Sequence, residues 1–299
     1  MTILLLGKNG QVGWQLQRSL APLAPLLALD RRGAGGLCGD LADLEGLAAT
    51  VRAVRPAVIV NAAAHTAVDQ AESDHALARR VNSEAPAVLA REAAACGALL
   101  VHYSTDYVFD GSGDAPWTED APAAPLNVYG HTKLEGEQAI RAAGGAHLIL
   151  RTSWVYAARG GNFAKTILRL ARERASLSVI DDQWGAPTGA ELIADVTAHA
   201  VRQLRARPQD AGTYHLAAAG FATWFDYASF VLDQVRQTQS TIKLVVNEVT
   251  PIPASAYPLP ARRPLNSRLD TRRLQAVFGL HLPPWQDGVG RMLNEISPS

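Results

Sequence analysis

The sequence predicts an α/β fold, a doubly wound parallel sheet joined to a smaller, sequence-interleaved C-terminal domain. Three observations predict it. Short apolar runs alternate with helix-period segments through the first half of the chain, the order expected of βαβ units. A glycine triplet directly follows the first of those runs. At 299 residues and 48% hydrophobic, the chain is long enough for one large core or two domains.

Residues 2–6 form the first strand, and Gly7, Gly10 and Gly13 follow at once. Trp14, Leu16 and Leu20 then continue as a helix. Glycines at a strand-to-helix turn let a pyrophosphate approach the backbone and sit on the helix N-terminus. Their spacing is G-x-x-G-x-x-G, and a triplet alone marks only a tight turn; the strand before and the helix after make it Rossmann-like. A second run, residues 26–29, ends in Asp30, where an acid meets the adenosine ribose hydroxyls. Arg31 and Arg32 follow, chemically suited to the 2′-phosphate of NADP, so either NADH or NADPH is expected. Leu44, Leu47, Val51 and Val54 repeat at helical steps behind Asp43, a candidate N-cap. The strand at residues 57–61 leads into Ala62, Ala63, Ala64, His65 and Thr66, small residues that admit a nicotinamide.

A helix containing Pro86, Val88 and Leu89, closed by Gly97, precedes a strand at residues 99–103. Ser104, Thr105 and Asp106 sit at its carboxyl end, where open α/β sheets bind ligands. Residues 110–125 read as a long Gly/Pro-rich loop or lid. The next helix carries Tyr129 and Lys133. Residues four apart share a helix face, so a phenol and an ammonium lie side by side. A phenol of ordinary pKa about 10 yields its proton slowly near neutrality unless a positive charge favours the phenolate. Hydroxyl, phenol, ammonium and a dinucleotide turn together imply hydride transfer to a carbonyl, with Tyr129 as proton donor.

Composition excludes other classes. Lys+Arg and Asp+Glu are each 28, so no overall field favours nucleic acid or an anionic membrane. Cys38 and Cys96 match no metal-ligand spacing and read as reduced core residues. The N-terminal run lacks a basic flank, and Pro22 and Pro25 break the apolar stretch after it. Neither signal peptide nor membrane span is expected, and the cytoplasm is the expected location.

The glycine turn, Ser104-Thr105-Asp106 and Tyr129-x-x-x-Lys133 resemble the extended short-chain dehydrogenase/reductase family. Segments 7–14, 61–69, 102–109, 126–133, 151–156, 182–191 and 257–269 resemble, within it, the dTDP-4-dehydrorhamnose reductases. The resemblance implies reduction of the C4 ketone of a dTDP-linked deoxysugar. Thr105 would bond that carbonyl, Tyr129 would protonate it, and Lys133 would hold the nicotinamide ribose while lowering the tyrosine pKa. Asn9, Gly10, Gln11, Val12, Asp30, Asp40, Leu41, Ala64, His65, Thr66 and Tyr103 match cofactor contacts, and Asp106 and Trp154 match sugar-nucleotide contacts. Related chains are also described as dimers bridged by Mg²⁺ on three glutamates. Glu191 and Glu295 match two of them, but Gln15 stands at the third, and a neutral amide is a poorer ligand for a hard cation. Metal is therefore not expected, and the chain reads as monomer or homodimer.

A 4,6-dehydratase would carry a glutamate where Tyr107 stands. A non-catalytic NADP-binding regulatory subunit could dispense with the Thr105, Tyr129 and Lys133 set. The remaining segments are less legible. Residues 162–170 suggest an amphipathic helix, 184–188 a turn, and 213–216 a strand returning to the sheet. The dinucleotide domain is accordingly set at residues 1–152 with 190–217 returning to it, and the substrate domain at 153–189 and 218–299. Arg262, Arg263 and Arg268 suit a diphosphate, with Arg263 the candidate substrate contact.

Overall fold

The computed structural model describes residues 1–238 and 243–296. Strand β1 (Ile3–Leu6) is buried on both faces, with Ile3 and Leu5 in one apolar cluster and Leu4 and Leu6 in the other. Alternate side chains of a strand face opposite ways, so a continuous apolar run requires helices on both sides. The chain supplies them: α1 (Gln11–Leu20), β2 (Leu26–Leu29), α2 (Leu44–Val54), β3 (Val58–Asn61), α3 (Ala85–Cys96), β4 (Leu99–Thr105), α4 (Val128–Ala142) and β5 (His147–Thr152). Asp43 caps α2 by accepting from the Gly46 amide, and Gly97 ends α3 in the left-handed conformation. Both are the termini expected from residue type.

Beyond β5 the chain builds α5 (Phe163–Glu173) and β6 (Ser176–Ile180), then α6 (Ala190–Ala206) and β7 (Gly212–His215). It closes with α7 (Trp224–Thr238), β8 (Glu248–Ile252), α8 (Arg272–Phe278) and α9 (Trp285–Ile296). The central sheet has the order β7-β5-β4-β3-β1-β2, with every pairing parallel. Helices α1 and α6 cover one face, while α2, α3 and α4 cover the other. From β1 the chain moves outward to β2, then crosses back to β3 on the other side. That reversal opens a crevice beyond the carboxyl ends of β1 and β3, where ligands bind in such sheets.

A separate apolar cluster gathers Tyr156, Ile167, Leu177, Tyr227, Val231, Trp285 and Val289 from α5, β6, α7 and α9. It stands over the same end of the sheet. Strand β6 pairs with β8, Leu177 standing opposite Val249 72 residues further along the chain, so this region is stitched from distant segments. Three local readings change. β4 runs on through Ser104 and Thr105, so these hydroxyls belong to the strand rather than follow it. Residues 184–185 and 188–189 form short strands where a turn was expected, because Trp184 pairs with Thr223 and Thr188 with Val155. The Gly/Pro-rich stretch is stapled down: the Trp117 amide donates to the Arg268 carbonyl at 2.8 Å and its ring stacks on Phe109.

Candidate active site

Two adjoining cavities, about 540 and 550 Å³, share Gly7, Gly10, Ala63 and Ala64. Gly7 has φ +84°, and a Cβ there would lie 2.8 Å from the Ala63 nitrogen. Gly13 lines neither cavity; a Cβ on it would strike the Gly7 carbonyl at 2.0 Å, so it permits the close helix–strand approach. Gly10 caps α1 without a side-chain bond, leaving the first-turn N–H groups available to an anion. This cradle fits a dinucleotide.

The larger of the two cavities is lined by Asn9, Asp30, Arg31, Asp40, Leu41 and His65. Asp30 accepts from Asn9 Nδ2 and from the Arg32 amide, both at 2.9 Å. Arg31 Nε meets Asp40 at 3.1 Å, yet its side chain is 79% exposed. A carboxylate for ribose hydroxyls and a guanidinium for a 2′-phosphate therefore stand side by side. The other cavity is lined by Gln11, Val12, Ala62, Thr66, Tyr103, Tyr129 and Lys133. Tyr103 directs its hydroxyl to Thr197 of α6 at 2.7 Å, which locks α6 to the sheet.

Asn127 caps α4 by accepting from the Gly130 amide, and its own amide donates to the Arg262 carbonyl at 2.7 Å. The cap fixes where the next turn places Tyr129. The Tyr129 hydroxyl faces Thr105, whose Oγ1 donates to Asp106 at 3.0 Å. Burial pushes the Tyr129 phenol up to about 12, with Thr105 opposing, so it holds its proton at neutral pH. Burial likewise pushes Asp106 up to about 6, against hydrogen bonds from Ser267 and Thr105. Lys133 is 2% exposed, and burial lowers its ammonium to about 8 while the charge of Glu137 opposes. The sequence placed Lys133 against Tyr129. Instead its Nζ lies 3.1 Å from His102 Nε2 and donates to the Tyr103 carbonyl, and no hydrogen bond joins it to the phenol.

One wall of this cavity is aromatic. Trp154 stacks on Trp224 with centroids 3.5 Å apart and planes 10° apart. Its backbone is left-handed, φ +48°, which costs about 1–3 kcal/mol in a side-chain-bearing residue. Stacking returns roughly 0.5–1.5 kcal/mol beyond area burial, so the neighbouring packing must supply the rest. Gly185 helps, since a Cβ there would lie 2.4 Å from the Trp154 ring. Arg263 lines neither cavity; it forms a bidentate pair with Asp69 at 2.8 and 2.7 Å.

The chain matches the family described as RmlD substrate binding domain over residues 1–297. It is 56% identical over 296 residues to the dTDP-4-dehydrorhamnose reductase of Escherichia coli (strain K12), covering 99% of this chain and 98% of that one. A crystal structure of a dTDP-4-dehydrorhamnose reductase from Clostridium acetobutylicum superposes with TM-score 0.88, at 32% identity and 99% coverage of both chains. The enzyme of that name from Bacillus anthracis, in complex with NADP, gives 0.86 at 32% identity, covering 98% of this chain and 99% of that one. The chain belongs to the dTDP-4-dehydrorhamnose reductase family.

Members of this family are NAD(P)H-dependent oxidoreductases, and the cradle suits that cofactor. The bridging metal is a different matter. Gln15, Glu191 and Glu295 do line one cavity of about 330 Å³, with Asp195, Asp287 and Arg291. But the amide is neutral, Arg291 sits 3.4 Å from Glu191, and among the described residues no group of three or more acidic, His or Cys side chains is arranged to hold a metal. These residues do not fit a Mg²⁺ centre, and no step is assigned to one. Sequence reasoning missed Trp224, and it read Asn61 and His102 only as strand residues. Trp224 gave no local signal. Asn61 and His102 did: each is a polar residue buried to 1% in an apolar strand.

Proposed function

We propose that this protein reduces the C4 ketone of dTDP-4-dehydro-6-deoxy-L-mannose with NAD(P)H, giving dTDP-L-rhamnose. The observation that carries the reading is Thr105, Tyr129 and Lys133 gathered in one cleft whose other half is a dinucleotide cradle. Bound there, the nicotinamide supplies the hydride. Thr105 turns its single O–H from Asp106 to the ketone oxygen and so orients it, and Tyr129 donates its proton to that oxygen as charge develops. Lys133, which lines the cleft, would hold the nicotinamide ribose. Asp106 accepts from a sugar hydroxyl, and the Trp154–Trp224 stack walls the sugar pocket. Arg263, paired with Asp69, is the candidate contact for the diphosphate.

The division of labour follows the chain. Residues 1–152 and 190–217 carry the cofactor, while 153–189 and 218–299 carry the sugar nucleotide, and the protein works in the cytoplasm as a monomer or homodimer. No described helix is long and apolar enough to cross a membrane. Purified protein should oxidise NADPH or NADH only when the 4-dehydro sugar nucleotide is added; no substrate-dependent oxidation of either would refute the reading. Tyr129→Phe should lower kcat by roughly 10²–10⁴, the range for a lost general acid, while leaving NADPH affinity intact.

A further inference from the structure

Beneath Lys133 runs a buried chain of side chains whose donors and acceptors can be assigned from a fixed end. The Ala63 amide donates to Asn61 Oδ1 at 3.2 Å. A backbone N–H cannot accept, so the Asn61 amide is oriented with Nδ2 toward His102 Nδ1, 3.2 Å away. Nδ1 then accepts, and a neutral imidazole must carry its proton on Nε2. That proton points at Lys133 Nζ, 3.1 Å away.

We infer that Asn61 and His102 are positioning residues that set the charge state of Lys133, the Nε2–H of His102 favouring its amine over its ammonium. An ammonium has no lone pair for Nε2–H, whereas an amine does. The amine retains two protons, one for the Tyr103 carbonyl and one for the cleft. Every group that faces Lys133 is accounted for. His102 and the Tyr103 carbonyl come from β4, and Glu137 comes from α4 itself. Glu137 opposes the effect, but Arg151 of β5 holds its carboxylate at 2.8 and 2.7 Å and Arg141 at 3.1 Å, which blunts its pull. Tyr129 shares the cavity without bonding to Lys133. Burial keeps His102 well below the ordinary imidazole range, with the Lys133 charge acting the same way, so the neutral ring persists at working pH.

The functional consequence rests on the proposed reductase reading: a lysine poised between two charge states near neutral pH gives activity an alkaline limb that His102 controls. Four lysines make Lys133 assignable by NMR with labelled lysine, and that readout needs no turnover. His102→Leu removes the opposing N–H and should raise the Lys133 titration by about one pH unit, a tenfold change in the amine-to-ammonium ratio. His102→Gln can accept from Asn61 and donate to Lys133, so it should restore the wild-type value. Asn61→Asp should reverse the chain and move the ring proton to Nδ1. In the wild-type protein, labelled-histidine NMR should place that proton on Nε2. An unmoved Lys133 titration in His102→Leu, or a wild-type ring protonated on Nδ1, overturns the inference; should the leucine variant fail to fold, the wild-type tautomer still decides. Wild-type protein without reductase activity would instead sink the proposed function and leave this measurement standing.

Discussion

The two ends of the cleft are built differently. The cofactor end is mostly backbone and small side chains carried past two strands adjacent in the sheet: Gly7, Gly10, Ala63 and Ala64 lie just past β1 and β3. The sugar end is an assembly of large rings and polar groups brought from Trp154, Gly185, Trp224 and Ser267. Close approach of backbone dominates at one end and side-chain packing at the other. The first is intolerant of any added atom. The second should yield by degrees.

Gly13→Val tests the intolerant end and carries the larger expected effect of the two ends. Its Cβ would occupy the space of the Gly7 carbonyl, so the turn must shift. Overpacking of this kind costs about 1–3 kcal/mol, so NADPH affinity should fall by up to roughly 100-fold. Calorimetric titration measures it, with dTDP affinity as the control at the other end. Equal losses at both ends would break the contrast, since they would mean the fold rather than the cradle had failed.

Gly185→Val tests the aromatic end and should be milder. The new side chain meets the Trp154 ring and must slide it off Trp224. Losing a stacked pair costs roughly 0.5–1.5 kcal/mol, so KM for the sugar nucleotide should rise up to about tenfold, with NADPH affinity unchanged. Initial rates at saturating NADPH give the number.

That contrast also explains what could be read from the sequence. Gly7, Asp30, Thr105, Tyr129 and Lys133 are each tied to a strand end or helix face within a few residues, so local pattern placed them. The parallel sheet followed from the same alternation. Trp224 was invisible because its partner is 70 positions away, and nothing in its neighbours marks the stack. The orientation of Lys133 was also out of reach. Helix periodicity put it beside Tyr129, but its bond is made to His102 on another element. Residues 110–125 read as a Gly/Pro-rich loop or lid; Trp117, stacked on Phe109 and bonded to Arg268 and Asn266, holds them in place.

The smallest effect concerns Asp106, where the two ends meet. Its carboxyl is buried and held up at about 6, burial outweighing the hydrogen bonds from Ser267 and Thr105. The sign follows from which form works. As an acceptor for a sugar hydroxyl the carboxylate is the competent state, and it is lost as pH falls through about 6. kcat/KM should therefore drop on the acid side with a midpoint near that value. Asp106→Asn keeps an acceptor oxygen that does not titrate, so this limb should flatten while activity at neutral pH falls only a few-fold, about the contribution of one hydrogen bond of 0.5–1.5 kcal/mol. A pH profile of both proteins decides it. An acid limb that persists unchanged in Asp106→Asn would assign the titration to another group and leave the sugar end to packing alone.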